Sequence, residues 1–129
     1  MGFKEIVNSI TTYFQDVADA NNFTARFDND LRATPTSGLW YEFGIDFGNS
    51  QQKELGINSY RNSGNVIIKI KNEIGLGIGD LLEKADIIAA AFRNENIDEI
   101  IFRVPRIVKV GRIEDNYQIN VICPFYIDN

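Results

Sequence analysis

The amino-acid sequence predicts an α+β fold, a mainly antiparallel β-sheet with two packed helices in one small domain spanning residues 1–129. Two segments repeat apolar residues at spacings of three and four, as a helix stripe does. Six short runs are rich in β-branched and aromatic residues, and the clearest of them alternate with period two, as half-buried strands do. Turn-forming stretches of hairpin length join most of these runs, which favours antiparallel pairing. A chain of 129 residues is too short to divide into two adequate cores.

The first helix is expected from Gly2 to about Ala20, where Phe3, Ile6, Val7, Ile10, Phe14, Val17 and Ala18 form one stripe and Asn21 and Asn22 end it. Phe23 to Phe27 is a short strand candidate, and the turn formers from Asp28 to Gly38 read as a loop. Trp40 to Phe47 alternates clearly, with Tyr41, Phe43, Ile45 and Phe47 on one face and Glu42 and Asp46 on the other. Gly44 lies on the polar face, where another backbone or side chain can approach closely. From Gly48 to Gly64 the chain turns polar, and Val66, Ile68 and Ile70 then mark the next strand. Two strands around a polar stretch predict an extended hairpin with a long, mobile tip, in which Gln51, Lys53, Glu54, Tyr60 and Arg61 are candidate partner-binding residues.

Asp80 is a candidate N-cap, and Glu83 three residues later would complete a capping box. The helix that follows is expected to bury Leu81, Leu82, Ala85, Ile88, Ala89 and Phe92 and to stop near Arg93 and Asn94. Strands are expected at Ile100–Val104, with Pro105 breaking the run, at Ile107–Ile113 and at Tyr117–Tyr126. The expected core comprises Tyr41, Phe43, Ile45, Val66, Ile68, Phe102, Ile119 and Val121, covered by Ile6, Ile10, Phe14, Leu82, Ala85 and Ala89.

Composition narrows the function classes. Apolar residues make up 44% and charged residues 24% of the chain, as in ordinary globular domains. No apolar run approaches the roughly 20 residues that span a bilayer, so no membrane partner is expected, and the N-terminus lacks the features of a signal peptide. There is no histidine, which removes the usual general base and every Ser-His or Cys-His arrangement. The single cysteine, Cys123, excludes an intrachain disulfide and falls on the apolar face of its strand, as a small core residue would. A net charge of −5 argues against gripping DNA phosphates as the main task. No enzyme activity, cofactor or metal is expected.

The remaining constellations have plain readings. Gly75, Gly77 and Gly79 precede a helix but match neither the dinucleotide fingerprint nor a Walker A loop, so a flexible connection is the better account. Glu95, Asp98 and Glu99 read as a solvated turn. Trp40, on the polar side of its strand, fits a second covered face, a helix edge or a subunit contact, since Trp is enriched in interface cores. The charge distribution is less plain. Arg103, Arg106, Lys109 and Arg112 share a stretch, Ile100–Ile113, that contains no acid, whereas the first sixty residues hold eight acids and four bases. Such asymmetry suits head-to-tail pairing between copies, with Arg103, Arg106, Lys109 and Arg112 meeting Glu42 or Asp46, helped by Trp40. Folding the two regions onto each other within one chain would cancel it instead.

Over nearly its whole length the chain resembles the tail-terminator family of long-tailed bacteriophages. The resemblance is carried by the N-terminal helix, the aromatic strand Leu39–Phe47, the strand Gly64–Ile70, the alanine-rich helix end Ala85–Arg93 and the terminal strand Tyr117–Phe125 with its Pro-Phe ending. It implies a virion protein, assembled in the host cytoplasm, that forms a homo-hexameric ring. Such a ring caps the tail tube protein, ends tube polymerisation and offers its other face to a neck or head-completion protein. DNA would pass through the ring without being read. Another phage neck or tail-completion subunit, and a small-ligand-binding α+β domain, are the alternatives.

Overall fold

A computed structural model describes residues 2–21, 25–27, 39–52, 60–73, 78–114 and 116–128, without the side chains of 25–27, 49–52, 60–61 and 73. Two helices, α1 (Phe3–Asn21) and α2 (Gly79–Phe92), contribute to one core cluster beneath a seven-stranded sheet. The strands are β1 (Ala25–Phe27), β2 (Trp40–Gln52), β3 (Tyr60–Glu73), β4 (Asn96–Ile97), β5 (Ile100–Phe102), β6 (Arg106–Ile113) and β7 (Asn116–Asp128). Their order is β1-β2-β3-β7-β5-β4, with β6 also paired to β7. All pairings are antiparallel except β1 with β2. The expected α+β fold is therefore the observed one, with the two-residue β4 as an addition that no pattern signals.

Helix α1 buries Ile6, Ile10, Phe14 and Ala18, one residue per turn along a single line. Phe3 is largely exposed, yet its ring centre lies 4.6 Å from that of Phe47. Asn21 closes the helix by donating its side-chain amide to the Val17 carbonyl at 2.9 Å; Asn22 lies outside the described residues. Helix α2 departs from expectation at its start. Gly79 is its first residue and Ile78 occupies the N-cap position without a side-chain bond, so Asp80 sits inside the first turn and the expected capping box with Glu83 is not made. The Asp80 carboxylate is still well placed there, beside the positive end of the helix dipole. Leu82 is a second correction. It is exposed, because the buried stripe of Leu81, Ala85, Ile88, Ala89 and Phe92 is centred nearer Leu81, and the next residue lies about 100° further round. At the other end Arg93 donates its N–H to the Ala89 carbonyl, and Asn94 takes a left-handed φ of 53°.

The β2–β3 ladder runs well beyond the apolar pattern. It pairs Trp40 with Lys71 through Phe47 with Gly64, shifts register, and continues from Ser50–Asn62 to Gln52–Tyr60. Most of the stretch expected as a polar tip is thus paired strand, since ladder hydrogen bonds come from the backbone and need no apolar side chains. Only 53–59 separate the two strands, and they lie outside the described residues, as does the glycine connection up to 77.

Strand β7 occupies the middle. On one edge it pairs with β3 from Asn116–Glu73 to Asp128–Arg61. On the other it pairs first with β6, from Asn116 to Ile122, and then with β5 at Phe125 and Tyr126. Pro124 stands where the edge passes from one partner to the next. Its carbonyl accepts the Arg103 N–H at 2.9 Å, so its own nitrogen, which has no hydrogen to give, points to that same side. The ladder to β3 loses nothing.

The core is aromatic along one continuous path. Phe43 stacks on Phe14 at 4.9 Å, and Phe14 lies 6.4 Å from Phe92. Phe92 meets Phe102 at 5.1 Å, Phe102 meets Phe125 at 5.7 Å, and Phe125 meets Phe47 at 6.3 Å. Gly64 lies between Phe47 and Phe125 in the ladder. A Cβ there would stand 2.6 Å from the Asp46 carbonyl oxygen and 2.8 Å from the Phe125 ring, so the close approach requires glycine. Of the expected core, Tyr41, Phe43, Val66, Ile68, Phe102, Ile119, Val121, Ile6, Ile10, Phe14, Ala85 and Ala89 are buried, and Ile45 packs against them half-buried.

Two substitutions test this packing. Phe43→Ala removes a stacked ring and is expected to cost about 3–5 kcal/mol in urea unfolding. Gly64→Ala adds a single carbon, yet is expected to destabilise by about 1–3 kcal/mol because a backbone oxygen must move. A Gly64→Ala protein as stable as the parent would contradict the close approach.

Candidate assembly surface

Strand β6 is apolar in sequence and exposed on both faces. Among the described residues only β7 pairs with it, along Asn116–Ile122. Ile107, Val108, Val110 and Ile113 remain 37–44% exposed, and Val104, just before the strand, is 57% exposed. Elsewhere such residues build the core, whereas here Ile107 on one face and Val108 and Ile113 on the other leave apolar surface exposed on both sides of the strand. A bulge interrupts it: Lys109 pairs with Ile119 and Gly111 with Gln118, leaving Val110 as the extra residue. Gly111 has a φ of +96°, which a residue with a side chain rarely adopts.

The four basic residues expected at a subunit contact are all exposed. The Arg103 guanidinium lies over the Tyr126 ring at 4.8 Å. Arg106, Lys109 and Arg112 have no ion pair with any described residue. Their positive charge is therefore not cancelled by the described acids of the same chain, the alternative that the sequence left open. Register puts Arg106 across from Ile122, whereas Lys109 and Arg112 stand across from Ile119 and Tyr117 and so share the other face.

The acidic and aromatic candidates on β2 divide differently. Trp40 is 2% exposed, so it lies covered within its own chain and offers almost no contact area. Its indole Nε1 is buried without a hydrogen-bond partner among the described residues. Glu42 accepts a hydrogen bond from Lys71 Nζ at 3.0 Å and is thereby engaged inside the subunit. Asp46 is exposed. It borders a shallow groove of about 220 Å³ shared with Glu42, Phe43, Gly44, Ile45, Ile67 and Lys69. Of the expected hairpin residues, Gln51 pairs with Arg61 and Tyr60 with Gln52 in the ladder. Lys53 and Glu54 lie outside the described residues.

Among the described residues, other features show no convergent chemistry. Asp98 accepts a hydrogen bond from Ser9 Oγ at 2.7 Å in an exposed turn. The Tyr13 hydroxyl donates to the Ala91 carbonyl at 2.6 Å, and burial, then the nearby Glu95 charge, raises its pKa. Burial likewise pushes the Cys123 thiol up to about 12, which leaves it protonated and inert. Among the described residues no three His, Cys, Asp or Glu side chains come together as a metal site. The double exposure of β6 escaped sequence reasoning, because an apolar run signals burial and only its density of bases hinted otherwise.

No known family profile and no curated protein matches this sequence. Solved structures do resemble it in fold. One chain, which bears a sequence label and no functional name, superposes with a TM-score of 0.76 at 12% identity, covering 98% of this chain and 96% of its own. A chain from the virion of a native gene transfer agent particle superposes with a TM-score of 0.57, again at 12% identity, covering 95% of this chain and 93% of its own.

The exposed bases yield a direct expectation. Replacing Arg106 and Arg112 together by Glu should change the unfolding free energy of the dissociated subunit by less than about 0.5 kcal/mol per site, as for surface positions without partners. A loss of several kcal/mol in urea unfolding would mean that these residues hold their own chain together.

Proposed function

We propose that this chain is a structural subunit of a phage-like virion, without catalytic activity, that caps the tail tube as a homo-hexameric ring. The observation that carries the proposal is the end-to-end correspondence of its fold with a chain of the gene transfer agent virion, which spans 95% of one chain and 93% of the other. The terminator pattern in the sequence adds the particular role. The exposed edge strand β6, apolar and basic at once, supplies the kind of surface that repeated association needs. In this role one ring face ends tube growth and the other receives a neck or head-completion protein, while DNA passes through the hole.

Deleting the gene from a particle-producing genome tests this role by electron microscopy of the lysate. A terminator leaves tubes of irregular, excessive length and no tailed heads. Tubes of normal length that fail to join heads would assign the chain to the neck instead. Intact particles in normal yield would overturn any structural role in tail assembly. For the purified protein, negative-stain images should show six-fold rings that dissociate as salt rises, since charge attraction is screened within about 3 Å at 1 M.

A further inference from the structure

Cover over the helix side of the sheet ends abruptly between β7 and β6. On that side Ile119 and Val121 of β7 are fully buried in the core cluster that both helices enter. One strand further out, Ile107 stands across from Val121 and Lys109 across from Ile119. Ile107 is nevertheless 38% exposed, and Lys109 and Arg112 on the same face are exposed as well. Neighbouring strands lie only about 4.8 Å apart, so the helix layer stops one strand short. Residues 109 and 112 would ordinarily point to opposite faces. The extra residue of the Val110–Gly111 bulge brings them onto one. The underside of β6 thus carries an exposed isoleucine and two bases without an ion pair to any described residue.

Helix α2 bears the counterpart. Leu82 is 37% exposed, and Leu82, Asp86 and Ala90 follow one another at four-residue spacing along one exposed flank, with Glu83 beside them. Lys84 falls on the far side of the helix at about 100° per residue, so this flank holds two acids and no base. Neither Glu83 nor Asp86 has an ion pair with any described residue.

We infer that this flank of α2 in one copy seats beneath β6 of the next, extending the helix layer across the strand that the subunit's own helices leave open. The occupant is a second copy of this chain, and the inference rests on the ring reading above. Leu82 packs against Ile107, while Glu83 and Asp86 meet Lys109 and Arg112. Ala90 adds little bulk, which lets helix and strand approach closely. The two surfaces are different and complementary, as a head-to-tail contact requires. Opposite charges orient the encounter and keep like surfaces apart, and the apolar pair leaves water.

Charge reversal with complementation tests the contact on the full chain. One variant carries Glu83→Lys with Asp86→Lys, the other Lys109→Glu with Arg112→Glu. All four positions are exposed, so each dissociated subunit should unfold in urea like the parent. Light scattering over a concentration series in low salt then measures assembly. Each variant alone should need about a tenfold higher concentration or more to form rings, because like charges face each other. Mixed in equal amounts, the two should recover near-parent assembly in rings where they alternate, since each reversed surface finds its complement on the other. Rings from either variant alone at the parent concentration would overturn the inference and leave the ring reading standing. A mixture that fails to recover, with both subunits folded, would overturn it too, because α2 and β6 would then serve different partners. Absence of rings from the unaltered protein at any concentration would instead overturn the ring reading itself. Cysteine cross-linking gives a second measurement that keeps every charge in place. Leu82→Cys combined with Ile107→Cys, joined by a short bifunctional maleimide, should give covalent multimers up to the ring size, with buried Cys123 silent. Dimers from either single variant, or no multimers from the double variant in visible rings, would overturn the contact.

Discussion

Because β7 pairs with β3 along its whole length and with β6 and β5 in succession on its other edge, one strand sets the register of almost the entire sheet. Its inner face, Ile119, Val121, Cys123, Phe125 and Ile127, is fully buried. A one-residue slip would turn that whole face outward, so the hydrophobic effect locks the register strongly. Pro124 is tolerated here only because its missing donor faces the gap between two partners. The helices depend on the same strand, since Phe92 reaches Phe125 through Phe102 and α1 joins the path through Phe14.

The parts of the fold that one buried face dictates were legible in the sequence. Ile6, Ile10 and Phe14 declared α1, Tyr41 and Phe43 declared β2, and Ile119 and Val121 declared β7, because burial forces a period. Where no period is forced, reading failed. The outer β2–β3 ladder is held by backbone bonds, and its polar composition looks like a loop. Leu81 and Leu82 are chemically identical neighbours, and only the azimuth of α2 on the sheet tells them apart. Asp80 had the right side chain for a cap, but the helix begins one residue too early for it. β4 is two residues long and exists only because β5 lies alongside.

The candidate surface was legible by charge and illegible by exposure. The run from Arg103 to Arg112 stood out because it has no acid, and its bases are indeed on the surface. Trp40 and Glu42 were placed by face alone, and a polar face does not reveal that one residue is covered and the other held by Lys71. Asp46 is the acid on that strand that is exposed. The resulting picture separates two tasks that the sheet performs at once. Its middle strands make a stable subunit, and β6 at its margin stays exposed.

The central position of β7 also has a consequence for biogenesis. Every other element precedes it along the chain, so at about 5–20 residues per second the ribosome delivers the β2–β3 hairpin seconds before the strand that will cover its apolar edge. In that interval Val66, Ile68 and Ile70 have no β7 beside them and Phe14 has no completed sheet to lie on. Nascent chains are thus vulnerable to one another at high expression, and slower growth temperature or a holding chaperone should improve recovery of soluble material more than any change to the finished surface.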